Sequence, residues 1–273
     1  MIEQPYPNLE NLLEMVGDAG RRMSQIDACE GAAGNISVCL RWVVDVQALF
    51  PRVEKIKLPL PVPGLVGATM IVSGSGRRLR EIGDRPTANL ACLVVDEGGL
   101  TASQFTAPDS LISKVTSEFN SHLAVHNDRV LSTGTNFHAV IHAQPPYLTY
   151  LSHISRYQDV QYLNVHLLRW QPEMIVQFPE GIGIVPFTIP GSDALAASNA
   201  GLFRTHRLVI WAKHGVMACS DISVKRASDR IEYAETSARH EFMNLTAGEI
   251  GDGLSAQEIR SICAGFNVRQ SFF

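Results

Sequence analysis

The chain has 273 residues, 45% of them apolar, and a net charge of −4 from 23 basic and 27 acidic side chains. That length can bury a sizeable core, and the near balance of signs, with no dense Lys/Arg run, excludes an electrostatic footprint for nucleic acid. Cys29, Cys39, Cys92, Cys219 and Cys263 are scattered without C-x-x-C spacing, which predicts reduced thiols in a cytoplasmic protein.

The N-terminus lacks the basic and apolar regions of a secretion signal, and no apolar run approaches the roughly 20 residues of a membrane span, so no membrane partner is expected. Asn8 precedes Leu9, Leu12, Leu13, Val16 and Met23, an N-cap followed by helical spacing. Gly31-Ala32-Ala33-Gly34-Asn35 breaks that helix. Ile36, Val38 and Leu40 alternate with Ser37 and Cys39 and predict a strand, whose apolar run Trp42-Val43-Val44 extends. Pro59, Pro61 and Pro63 lack amide hydrogens, so residues 58–64 read as an ordered apolar crossing loop. Thr69 to Val72 is a short strand entering Ser73-Gly74-Ser75-Gly76. Arg77, Arg78 and Arg80 then form a tight basic cluster, either a solvated loop face or an attractor of anions.

Leu90 to Asp96 reads as a strand stopped by Glu97-Gly98-Gly99, and Ser113 to Val125 as a helix. Ala139 to His142 is a strand stopped by Pro145-Pro146, with a helix beginning at Tyr147. Met174 to Phe178 and Gly183 to Pro186 read as paired short strands around Pro179-Glu180-Gly181. Asp193 to Arg204 is helical. Leu208 to Trp211 and Val216 to Cys219 read as a hairpin with His214-Gly215 near its turn. A long helix over Ser223 to Leu245 has Val224, Ala227, Ile231 and Ala234 on one stripe, and Ser255 to Glu258 is a capping box opening a last helix. There is no repeat and no convincing boundary; one α/β domain over residues 1–273 is the simplest account.

Four segments carry candidate chemistry. On the Ala139 to His142 strand, His138, Val140, His142 and Gln144 share a face. His142 and Gln144 can reach one ion. His138 lies about 13 Å further along and is a poor co-ligand. Taken alone, His142 and His214 each read as hydrogen-bonded core histidines. Gly34-Asn35-Ile36-Ser37 and Val72-Ser73-Gly74-Ser75-Gly76 are turns whose amides, hydroxyls and small side chains can cradle a phosphate oxygen. Thr116-Ser117-Glu118 places two hydroxyls beside a carboxylate, on a helix by this reading, with a solvated helix face as the plain account of Glu118.

Together and in this order, G-N-x-S, S-G-S-G, T-S-E-x-x-x-H, a strand ending in H-x-Q and K-H-G, the segments resemble the class II aldolase family, specifically its rhamnulose 1-phosphate branch. The likeness spans nearly the whole chain, including Phe178 to Pro186 and Ile189-Pro190-Gly191-Ser192-Asp193. The resemblance implies a three-layer α/β/α sandwich with a mixed, mostly antiparallel sheet, assembled as a homotetramer with sites between subunits. It implies reversible cleavage of L-rhamnulose 1-phosphate to dihydroxyacetone phosphate and L-lactaldehyde. A divalent zinc would hold the ketose oxygens and stabilise the enediolate as a Lewis acid, with no Schiff-base lysine, so Lys213 is not expected to be a nucleophile. By the same resemblance Glu118 is the catalytic acid/base, Asn35, Ser75, Gly76, Thr116 and Ser117 contact phosphate, and His142, His214 and the Gln144 position hold the metal.

Three positions depart from the family pattern. Where Gln144 stands the family has histidine, and a neutral amide oxygen is a weaker zinc ligand, better matched to manganese or magnesium. Gln144 therefore ligates through its oxygen, holds a metal-bound water, or leaves zinc weakly bound. Ala32 stands near where relatives carry an asparagine. Either Gln171 or Glu173 matches a glutamate supplied by a neighbouring subunit. The alternatives are a catalytically silent sugar-phosphate-binding relative and epimerisation of a pentulose 5-phosphate.

Overall fold

The computed structural model describes residues 1–248 and 250–273. Among the described residues nine strands form one sheet: β1 (Asn35–Leu40), β2 (Arg52–Lys57), β3 (Thr69–Ser73), β4 (Leu90–Val95), β5 (Thr101–Thr106), β6 (Phe137–Ala143), β7 (Gly183–Val185), β8 (Leu208–Trp211) and β9 (Gly215–Ser220). Their order is β2-β5-β4-β3-β1-β6-β9-β8-β7. Neighbours pair antiparallel, except that β7 runs parallel to β8.

Side chains alternate across a strand, so the central strands feed a core on each face. Ile36, Val38 and Leu40 of β1 and Phe137, Ala139 and Ile141 of β6 pack with Leu12 and Val16 of helix Leu9–Gln25 and with Ala227 and Ile231 of helix Val224–Thr246. On the other face Cys39, Met70 and Val72 meet Phe119 and Leu123 of helix Phe119–Thr133, and Val140, Val209 and Met217 meet Val125 and Leu195. Helices therefore cover both faces of a mixed sheet, the α/β/α layering expected from the resemblance. The predicted caps are present: Asn8 accepts from the Asn11 amide at 2.9 Å, and Ser255 and Glu258 form the capping box. All five cysteines are free, and no described helix is long and apolar enough to cross a membrane.

Several elements differ from expectation. The first strand ends at Leu40, and Val43 is exposed. The helix predicted from Ser113 starts only at Phe119. The preceding residues are tied to the turn after β3: the Ser75 amide donates to Lys114 O at 2.9 Å and the Thr116 amide to Ser73 O at 3.0 Å. Residues 172–177, predicted in part as a strand, form helix Pro172–Gln177, with proline at its first position where a missing N–H costs nothing. β7 pairs with β8 instead of with that segment. β2 has no apolar alternation because it is an exposed edge strand, and Arg52, Glu54, Lys55 and Lys57 suit an edge that must resist pairing.

Glu235 of helix Val224–Thr246 links that helix to the chain just beyond β6. Its two carboxylate oxygens accept from the Tyr147 and Leu148 amides at 2.8 and 2.9 Å, capping helix Pro146–Leu151. Burial pushes the carboxyl up from 4.5 to about 7, against the pull of those amides and of Arg239. A native pKa above the unfolded one means that the folded state binds the extra proton. This contribution to stability is full below about pH 4.5 and is lost as pH rises through about 7. Unfolding by urea across that window should show the wild type losing stability relative to Glu235→Gln as pH rises. A pH-independent difference between the two would contradict it.

Candidate metal and phosphate site

Five segments meet at one end of the central strands: the turn before β1, the turn after β3, residues 115–118, the end of β6 and the β8–β9 turn. The pairing registers bring them together. Asn35 lies opposite His142 across β1 and β6, and His142 lies opposite Met217 across β6 and β9. Gly34 has a left-handed backbone (φ +83), and a Cβ there would lie 3.0 Å from His142 O and 2.8 Å from Leu79 Cδ1. The β8–β9 turn is closed by the His214 amide donating to Trp211 O at 2.9 Å. It places Lys213 at φ +66, and the Lys213 amide donates to Ser152 Oγ at 2.7 Å.

Glu118, His142 and His214 converge, with their ligand atoms all within 4.8 Å of one another. His142 Nδ1–H donates to Val216 O at 2.8 Å, which leaves Nε2 as the lone-pair nitrogen facing Glu118 Oε2 at 3.5 Å. His214 Nε2 stands 3.8 Å from Glu118 Oε1. Burial and the neighbouring His142 lower the His214 pKa, with Glu118 pulling the other way. The His142 ring stacks on Trp211 with centroids 4.4 Å apart and 18° between planes, and Trp211 Nε1–H donates to the buried Asn199 Oδ1 at 2.7 Å.

The 3.5 and 3.8 Å separations are long for hydrogen bonds, so the three side chains surround a common point more than they bond one another. Two imidazole nitrogens and a carboxylate oxygen, with a fourth position open to the cavity, are a donor set that fits a catalytic zinc or a similar divalent ion. The residues present therefore fit the metal that the resemblance implies.

Gln144 lines the same small cavity, of about 170 Å³, with Asn35, Ser75, Gly76, Thr116 and Ser117. Every residue predicted for the site is thus brought to one place. Their local settings differ from expectation. Thr116, Ser117 and Glu118 lie in a turn, and Glu118 is the residue just before helix Phe119–Thr133. Glu118 Oε2 accepts from Asn35 Nδ2 at 2.8 Å, while Asn35 Oδ1 meets His122 Nε2, so both ends of the amide are engaged. Ala32 and Ala33 line the cavity without offering side-chain donors. Gln171, Glu173 and the arginines at 77, 78 and 80 are not among the lining residues.

His138 is not part of the site, as its distance along the strand predicted; its Nδ1 meets His126 Nδ1 at 2.8 Å. Sequence reading missed Trp211 and Asn199, for which no local pattern exists. It also missed His126, whose signal was its i,i+4 spacing from His122 on one helix face.

The family model for the Class II Aldolase and Adducin N-terminal domain matches residues 14–242. This chain belongs to that family. A rhamnulose-1-phosphate aldolase from Bacteroides thetaiotaomicron is 28% identical over 270 residues, 98% of each chain. A rhamnulose-1-phosphate aldolase from Yersinia pestis is 28% identical over 225 residues, covering 80% of this chain and 79% of its own. Among solved structures, a sugar-phosphate aldolase from Thermotoga maritima superposes with a TM-score of 0.74 at 24% identity, over 90% of this chain and 99% of that one. An L-fuculose-1-phosphate aldolase from Thermus thermophilus gives 0.57 at 18% identity, over 89% and 100%. The two structures establish the class II aldolase fold.

Gly215 is where the site tolerates least change. A Cβ there would stand 2.4 Å from Ala143 O, 3.1 Å from Gln144 Cγ and 3.2 Å from His142 Cε1. Gly215→Ala should cost about 1–3 kcal/mol in urea unfolding, as overpacking does, and should weaken zinc binding in titration calorimetry. Wild-type stability together with wild-type zinc affinity would contradict this packing.

Proposed function

We propose that this aldehyde-lyase catalyses reversible aldol cleavage of L-rhamnulose 1-phosphate to dihydroxyacetone phosphate and L-lactaldehyde. The convergence of Glu118, His142 and His214 beside a hydroxyl-lined turn carries the reading. The two rhamnulose-1-phosphate aldolases matched along most of their length support the substrate.

His142 and His214 would hold the metal, with Gln144 as an oxygen donor, and Glu118 faces the same point as the acid/base. A divalent ion there, zinc or manganese, supplies a Lewis acid that stabilises negative charge on the ketose oxygens. The phosphate is held by neutral donors. The Ser75 amide is already spent on Lys114 O, so Ser75 contributes its hydroxyl. The Thr116 hydroxyl oxygen accepts from the Glu118 amide at 3.3 Å and keeps its own proton to donate, beside the Ser117 hydroxyl and the Gly76 turn. Asn35, expected at the phosphate, we place beside Glu118, because both ends of its amide are occupied.

Asn35 engages Glu118 Oε2, which leaves Oε1 to carry the proton. In cleavage Glu118 takes the proton of the C4 hydroxyl as that carbon becomes the aldehyde, the C3–C4 bond breaks, and Glu118 returns the proton to C3.

We place the chain in the cytoplasm, as a single domain assembled into a homotetramer. Glu173 is exposed at the start of helix Pro172–Gln177, open to a neighbouring subunit, and Gln171 adjoins it half-buried.

Purified protein supplied with zinc or manganese should release dihydroxyacetone phosphate from L-rhamnulose 1-phosphate, and chelation should abolish this. Glu118→Gln should lower kcat by about 10²–10⁴. Absence of cleavage with either ion would sink the proposal, and epimerisation of L-ribulose 5-phosphate in its place would point to the epimerase reading. Gln144→His should raise zinc affinity and shift ion preference from manganese towards zinc; unchanged affinity and preference would remove Gln144 from the ligand set.

A further inference from the structure

A file of buried polar side chains runs from Glu118 into the protein between the sheet and helix Phe119–Thr133. Asn35 Nδ2 is 2.8 Å from Glu118 Oε2, and Asn35 Oδ1 is 2.5 Å from His122 Nε2. His122 Nδ1 is 2.6 Å from Ser37 Oγ, which is 2.7 Å from His126 Nε2. His126 Nδ1 is 2.8 Å from His138 Nδ1. Glu118 is 6% and Asn35 7% exposed and the rest 1% or less, so water does not complete the inner bonds.

We infer that His122, Ser37, His126 and His138 form a one-directional hydrogen-bond file that locks the Asn35 amide with its N–H₂ towards Glu118, making His122 and His126 positioning residues for that carboxylate. The inference rests on the reading of Glu118 as the proton-carrying group.

The direction follows from counting protons. A neutral imidazole has one N–H and one lone pair. Asn35 Nδ2–H donates to Glu118 Oε2 and the Asn35 carbonyl oxygen faces His122. His122 then carries its proton on Nε2 and accepts at Nδ1 from the Ser37 hydroxyl. The Ser37 oxygen accepts from His126 Nε2–H, and His126 Nδ1 accepts from His138 Nδ1–H. Each of the five contacts receives one proton, with none missing and none in conflict. The reverse order turns the Asn35 oxygen towards Glu118 and requires a protonated carboxyl.

The surroundings keep the rings neutral, as the order demands. His122 and His126 lie well below the usual imidazole range, chiefly through burial and then through neighbouring histidines. His138 is pushed down to about 3 by burial and then by Arg129, Arg207 and Arg230. The file ends at His138 Nε2, which is buried with no partner among the described residues. The forward order leaves a lone pair there, and the three arginine cations favour a lone pair over an N–H.

This role explains why three histidines without metal contact occupy the core. A buried Asn amide held only by a carboxylate could rotate or be displaced by substrate phosphate. With its oxygen gripped by a fixed N–H donor it cannot turn without breaking the file, and Glu118 Oε1 stays aimed at the cavity.

The experiment is two-bond ¹H–¹⁵N correlation of the histidine rings in the full-length protein at neutral pH, with single His→Gln variants for assignment. The expected pattern is a proton on Nε2 of His122 and His126 and on Nδ1 of His138. A proton on Nδ1 of His122, or an imidazolium at any of the three, overturns the inference whether or not the protein is active. In the second arm, His126→Leu should lower kcat for sugar-phosphate cleavage about 10-fold with KM nearly unchanged. His126→Gln, which keeps an N–H towards Ser37, should recover most of that loss. Equal losses in both variants, or an effect confined to KM, overturn it. If the wild type cleaves no sugar phosphate, the proposed function fails, and the ring-nitrogen pattern alone decides the file.

Discussion

The register of β1 against β6 is the constraint on which the site depends. Asn35 pairs with His142, Ser37 with Val140 and Cys39 with His138. Side chains alternate with a period of two, so a slip of β1 by one residue against β6 would send Asn35 and Ser37 into the apolar core under helix Leu9–Gln25. It would also bring Ile36 to the candidate site. The apolar alternation on the opposite face makes that slip costly: Ile36, Val38, Leu40, Ala139 and Ile141 are all fully buried there. The hydrophobic effect on one face thus sets the geometry of the candidate site on the other. β9 adds the last restraint, because Val216 O accepts from His142 Nδ1–H and fixes which nitrogen faces Glu118.

The polar face of these strands is costly to bury, and its cost is met by nearly complete hydrogen bonding. Asn35, Ser37, His122 and His126 have every side-chain polar group engaged. Trp211 follows the same rule: it buries a large ring under His142 and gives its N–H to Asn199. The result is a set of ligands held by rigid strands and stacked rings. Glu118 and His214 both lie in turns, and the β8–β9 turn that carries His214 is pinned by Ser152 and by the close fit of Gly215. The half-buried Gln144 stands at the cavity wall, where an amide can hold an ion directly or through water.

Much of this was legible in the chain order of residues. Alternation identified β1, an apolar run stopped by prolines identified β6, helical spacing identified Leu9–Gln25 and Val224–Thr246, and Asn8 and Ser255 marked real caps. The collinear Gly-Asn, Ser-Gly, Thr-Ser-Glu and His segments named the residues that line the cavity. The failures have specific causes. β2 is charged on both faces because it is an exposed edge, so it carries no hydrophobic period. Ser113 to Glu118 has acceptable helical composition, but its amides and carbonyls are claimed by Ser73 and Ser75, a contact some 40 residues away. Met174 and Ile175 are buried as an apolar pair on a short helix, and two adjacent buried residues do not distinguish a helix from a strand.

The sequence by itself determined the family, the two-sided apolar cores and the residues that line the candidate site, because these depend on residue type and local period. Only the tertiary structure decided their relations. It set Asn35 against Glu118, placed Trp211 under His142, and lined up three histidines from a helix and a strand into one file. Those outcomes rest on distances between residues up to 89 positions apart, such as Ser37 and His126. Sheet register and helix docking set such distances, and no local pattern in the chain encodes them.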